Sequence, residues 1–111
     1  MSKYKQDILN YGDDVNDLDS SPFESLRMLH DRTNIYEVQS KLDFEEKILL
    51  GYYDLKLIEN AKEMVNHLRN VYDFKLSEEN NIPNEQWWWH LDKIAEGMVN
   101  FGVSTDKGKA I

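Results

Sequence analysis

The 111-residue chain contains no cysteine. That excludes a disulfide scaffold, a thiolate zinc site and a cysteine nucleophile, and it leads us to expect a reducing, cytoplasmic setting. Glycine occurs five times, always singly, so there is no glycine loop to cradle a phosphate. The Ser-centred elbow of hydrolases is missing too. No apolar run approaches the roughly 18 residues that a membrane helix needs. The chain does not open on a basic stretch followed by an apolar one, so no secretory signal is expected. There are no internal repeats.

Positive charge is also scarce. Thirteen Lys and Arg stand against 21 Asp and Glu, a net charge of −8. The deficit is uneven: residues 1–46 carry five basic and 11 acidic side chains, and residues 47–111 carry eight and 10. A surface of this sign repels phosphate backbones, so direct nucleic-acid binding is not expected. It attracts a basic protein surface, including one whose usual ligand is nucleic acid. Solubility is the more ordinary use of such charge.

What the chain does have is a core: 41% of its residues are hydrophobic and 12% aromatic. Its length fits one domain. We expect residues 1–111 to form a single helical domain, with a partly ordered acidic segment at 1–20 and a flexible tail at 103–111. Lys3 to Tyr11 reads as a short helix with Tyr4, Ile8 and Tyr11 on one side, and Gly12 is expected as its left-handed cap. Asp13 to Ser20 follows as an acidic connector. Set against a calcium loop, it offers Val15 where a ligand is needed and Leu18 where the turn needs glycine, so calcium is not expected.

Ser21-Pro22-Phe23-Glu24 is a helix start, with a capping serine, proline at the first position and a glutamate to complete a capping box. Phe23, Leu26, Leu29 and Thr33 then follow one face, while Met28, Ile35, Val38 and Leu42 follow another. Two buried faces on one helix suggest a break near residues 31–34, giving a helix of about 22–31 and a second segment of about 34–41. Asp43-Phe44-Glu45-Glu46 starts the longest element, expected to run to Tyr72. Leu50, Leu57, Ala61, Met64, Val65, Leu68 and Tyr72 line its continuous stripe. Residues 48–55 are apolar almost all round, which places them at the domain centre or in a dimer interface. Gly51 there costs about 1 kcal/mol relative to alanine. It marks a close helix approach or a kink.

After a polar break at residues 73–84 comes Trp87-Trp88-Trp89-His90. On a helix turning about 100° per residue, Trp87 joins Leu91, Ile94, Met98 and Phe101 on an apolar stripe that Gly102 would end. Trp88 sits at its boundary. Trp89 falls among Glu85, Asp92, Lys93, Glu96 and Asn100. A tryptophan on a charged face packs within its own chain, anchors an interface or stacks on a base or ligand.

The fold expected is an all-α small bundle of about four to five helices, with a long central helix at about 43–72 and a Trp-rich C-terminal helix at about 83–101. Histidine and carboxylate spacings do not assemble a metal site. Glu63 and His67 share a face once, where a di-iron bundle would repeat the motif. Glu45-Glu46 and Glu59/Glu63 are the only acidic pairs resembling a magnesium-dependent helical pyrophosphohydrolase, and Glu45-Glu46 suits a helix N-terminus equally well. No cofactor and no catalytic residue are therefore assigned.

The leading expectation is a non-catalytic acidic interaction module. In its most specific form it is a small inhibitor, immunity or antitoxin-like protein occupying a basic surface of a partner. The partner-binding residues expected are Trp88, Trp89, Asp92 and Glu96, with Glu59, Glu63 and the acidic Asp13, Asp14, Asp17 and Asp19. One alternative is a metal- or nucleotide-dependent helical enzyme using Glu59, Glu63, His67 and His90. The other is a dimerisation subunit organised by residues 48–55.

Overall fold

Lys5–Asp14 form the first helix, α1, with Ile8 and Tyr11 buried on its inner side and Val15 buried just beyond it. The structure, a computed structural model, describes residues 3–97. Gly12 does not cap α1 but lies inside it, where a Cβ would run into the Tyr53 ring. A glycine here lets the two elements approach closely.

The second helix, α2, spans Pro22–Glu37. Ser21 Oγ accepts the Phe23 N–H at 3.2 Å, and Pro22 holds the first helical position. The Glu24 carboxylate does not return to the cap; it pairs with Arg27 at 2.9 Å. The break expected at residues 31–34 does not occur. α2 packs against α1 and also against α4 (Ala61–Leu68) and the Trp87–His90 turn. Two sides of one helix are thus covered, and Met28, Leu29 and Ile35 are all buried without a kink. A 3-10 turn at Gln39–Lys41 then leads to the next cap.

α3 runs over Phe44–Glu59 and opens on a complete capping box. Asp43 Oδ1 accepts the Glu46 N–H, and Glu46 Oε1 accepts the Asp43 N–H, each at 2.8 Å. The buried Glu46 also accepts the Tyr4 N–H through Oε2 at 2.7 Å, which ties the start of α1 to the start of α3. The single long helix expected to Tyr72 stops at Asn60, and α4 begins at Ala61. Asn60 Nδ2 donates to the Val15 carbonyl at 3.0 Å, so the residue between the helices satisfies an acceptor at the end of α1. The expected stripe survives the break: Leu50, Leu57, Ala61, Met64, Val65 and Leu68 are all buried.

A five-residue helix, α5 (Lys75–Glu79), ends in a Schellman turn. Asn81 adopts a φ of 55°, its N–H donates to the Glu78 carbonyl, and the Ile82 N–H donates to the Ser77 carbonyl, both at 3.0 Å. The tryptophan segment is not one helix over 83–101. Trp87–His90 is a 3-10 turn, followed by α6 (Leu91–Ala95), and Gly97 terminates α6 at φ 75°. Met98, Phe101, Gly102 and the expected tail lie outside the described residues. The described residues form an all-helical bundle of six α-helices, with no strand among them. None of these helices is long and apolar enough to cross a membrane.

Candidate functional site

The tryptophans turn inward. Trp88 is 0% exposed and Trp89 7%, so neither offers its ring to a partner, which corrects the expected anchors. The reason is one hydroxyl on α2. Thr33 Oγ1 accepts the Trp88 indole N–H at 2.9 Å and the Trp89 indole N–H at 2.7 Å, while its own proton goes to the Leu29 carbonyl at 3.1 Å. A hydroxyl has two acceptor sites and one donor, and all three are used. The 3-10 turn advances about 120° per residue, and here it sends both indole N–H groups to that one oxygen. Arg32, the residue before Thr33, lies over the Trp88 ring at 4.3 Å and grips Asp54 with two bonds of 2.9 Å. Tyr11 donates to the same carboxylate at 2.6 Å.

The histidines expected in a reactive cluster are each bound to a separate backbone carbonyl. His67 Nε2 meets the Ser20 oxygen at 2.9 Å, and His90 Nε2 meets that of Ile82 at 2.7 Å. Glu59 and Glu63 are exposed at the end of α3 and on α4. Among the described residues no group of three or more acidic or histidine side chains is placed to hold a metal ion.

The expected acidic partner surface divides. Asp92 and Glu96 line a depression of about 600 Å3 with Arg69, Lys75, Glu78 and Lys93, where both signs of charge alternate. Lys93 pairs there with Glu78 at 2.7 Å and lies 3.6 Å from Asp92. Asp17 binds its own turn, accepting from the Asp19 and Ser20 N–H groups and the Ser20 hydroxyl, which holds its carboxyl below the usual range.

Asp13 and Asp14 are different. They belong to the end of α1, not to a connector, and they line a depression of about 460 Å3 between α1 and α2 with Asn10, Asp31 and Arg27. A second hollow of about 200 Å3 adjoins it, lined by Asp7, Asn10, Asp31 and Asn34. Four carboxylates face one cation across these two hollows. Partial burial pushes the Asp14 carboxyl above its ordinary value; Arg27 opposes the shift, and Asp17, Asp31 and Glu24 add to it. Partial burial raises Asp31 in the same way, again against Arg27 and with Asp7 adding. Asp7 and Asp31 were not among the expected site residues. The helical spacing of Asp7, Asn10 and Asp14 marks a polar face, but nothing local joins it to Asp31.

A second surface comes from α3. Residues 48–55 are not enclosed all round: Leu50 enters the core, but Ile48 is 57% exposed, Tyr52 54% and Leu55 61%, with Phe44 at 75% beside them. A groove of about 410 Å3 runs along this face, lined by Ile48, Leu49, Tyr52, Glu45, Glu46 and Lys5. The chain matches no protein-family model, no curated protein and no solved structure.

Proposed function

We propose that the chain is a non-catalytic protein-interaction module that binds a basic surface of a partner protein, in the manner of a small inhibitor, immunity or antitoxin-like protein. The observation that carries the reading is the cleft between α1 and α2, where Asp7, Asp13, Asp14 and Asp31 meet, among the described lining residues, one cation, Arg27. Partial burial disfavours the ionised forms of Asp14 and Asp31, so an arriving lysine or arginine gains more here than on an open surface. The net charge of −8 supplies the long-range attraction that brings such a partner in. The tryptophans serve by holding α2, and with it Asp31, in place.

Capture from a lysate of the source cells at low salt tests this reading, with wild type and an Asp14→Asn/Asp31→Asn variant as parallel baits. The expected result is one basic protein held by wild type, released by salt and missing from the variant. Identical proteins on both baits would defeat it. The bound cation should also draw both carboxyl pKa values back down, so binding releases protons. Affinity should therefore weaken as the pH falls from about 6 to about 4.

A further inference from the structure

We infer that the exposed face of α3 pairs with α3 of a second copy of this chain, the two helices running antiparallel about a two-fold axis beside Gly51. On a helical wheel Phe44, Ile48, Tyr52 and Leu55 fall within an arc of about 80°, with Gly51 at its edge. All four large side chains are more than half exposed. Gly51 is exposed too, and a Cβ built there meets nothing within 4 Å. The fold itself therefore makes no use of this glycine, although it costs about 1 kcal/mol inside a helix. A second helix approaching closely would use it.

The antiparallel register pairs unequal sizes. With the axis between Gly51 and Tyr52, the large Tyr52 of one copy lies opposite Gly51 of the other, and Ile48 lies opposite Leu55. A parallel pair would set Tyr52 against Tyr52 and glycine against glycine. Antiparallel packing also opposes the two helix dipoles. Charge agrees with this register. Glu45 and Lys56 lie on the same edge of the stripe, the edge that meets itself in a symmetric antiparallel pair. Lys56 already rests over the Tyr52 ring at 5.3 Å. Glu45 of each copy then lies two residues, about 3 Å along the axis, from the level of Lys56 of the other, within side-chain reach of two symmetric ion pairs at the rim of an apolar strip.

This surface is separate from the cleft between α1 and α2, so the two proposals fail independently. Sedimentation equilibrium on the full chain from micromolar to millimolar concentration reads the mass. We expect a monomer–dimer equilibrium that Ile48→Glu abolishes, that Leu55→Ser weakens by at least tenfold, and that Asp14→Asn leaves unchanged, with helicity by circular dichroism retained in each. Glu45→Lys and Lys56→Glu should each weaken the dimer roughly tenfold, and the two together should restore it. A monomer at every concentration overturns the proposal, whether the face stays bare or residues 98–111 cover it. So does a dimer indifferent to Ile48→Glu, or one that the double reversal fails to restore.

Discussion

Thr33 shows how much one small side chain can hold. Its hydroxyl accepts two buried indole N–H groups and donates to the Leu29 carbonyl. Thr33→Val keeps the shape and removes both acceptor sites. Each unpaired buried donor costs about 1–3 kcal/mol, so we expect a loss of about 2–5 kcal/mol in urea unfolding, against less than about 1.5 kcal/mol for Thr33→Ser, which keeps the hydroxyl. A loss from Thr33→Ser with none from Thr33→Val would mean that the methyl group, not the oxygen, matters. Tyr11 makes a second residue-scale test. Burial, and then the neighbouring Asp54, raise its pKa well above the ordinary tyrosine value. The folded state therefore keeps this proton when the unfolded chain has lost it, and stability should fall as the pH rises above about 10. Ultraviolet titration of wild type against Tyr11→Phe should show the Tyr11 phenol ionising only as the chain unfolds. The sequence places Thr33 on an apolar face of its helix but shows nothing of this role, because the indoles it holds lie 55 and 56 residues away.

The helices divide according to whether their ends are decided locally. The caps at Ser21-Pro22 and Asp43–Glu46 are readable in the sequence because donor and acceptor sit within three residues. The buried stripe from Leu50 to Leu68 is readable because its period persists across the break. The break at Asn60 is not readable, since it answers a carbonyl at Val15. The unbroken α2 is not readable either, since burial of two faces depends on neighbours brought in by the fold. Trp89 points outward on an α-helical wheel; the 3-10 turn changes its direction. Gly12 is a further case. It reads as a cap, yet it makes room for the Tyr53 ring. Alanine in a helix gains about 1 kcal/mol over glycine, but at this position its Cβ strikes the ring. Gly12→Ala should therefore destabilise the wild type and stabilise a Tyr53→Ala background by about 1 kcal/mol. Equal effects in the two backgrounds would show that the ring does not constrain α1.

Across the whole molecule, the negative charge has a place as well as a sign. The carboxylates expected at Asp13 and Asp14 do form a surface, but with Asp7 and Asp31 and not with Trp89, Asp92 or Glu96. The composition indicates an acidic protein; only the packing of α1 on α2 shows where four carboxylates meet. That arrangement works against the fold. Raised carboxyl pKa values at Asp14 and Asp31 mean that the folded state takes up protons more readily than the unfolded chain. Their contribution therefore becomes more favourable as the pH falls through the folded values toward about 3.9. Asp14→Asn and Asp31→Asn should raise the melting temperature at neutral pH while weakening partner capture, a trade between stability and binding. The most direct measurement is the association rate of the captured basic partner with wild type and with the Asp14→Asn/Asp31→Asn variant, followed across ionic strength. We expect a rate that falls steeply with salt for wild type and more gently for the variant, which is more stable but slower to bind. Rates that ignore salt and are equal for the two proteins would contradict an electrostatic docking site between α1 and α2.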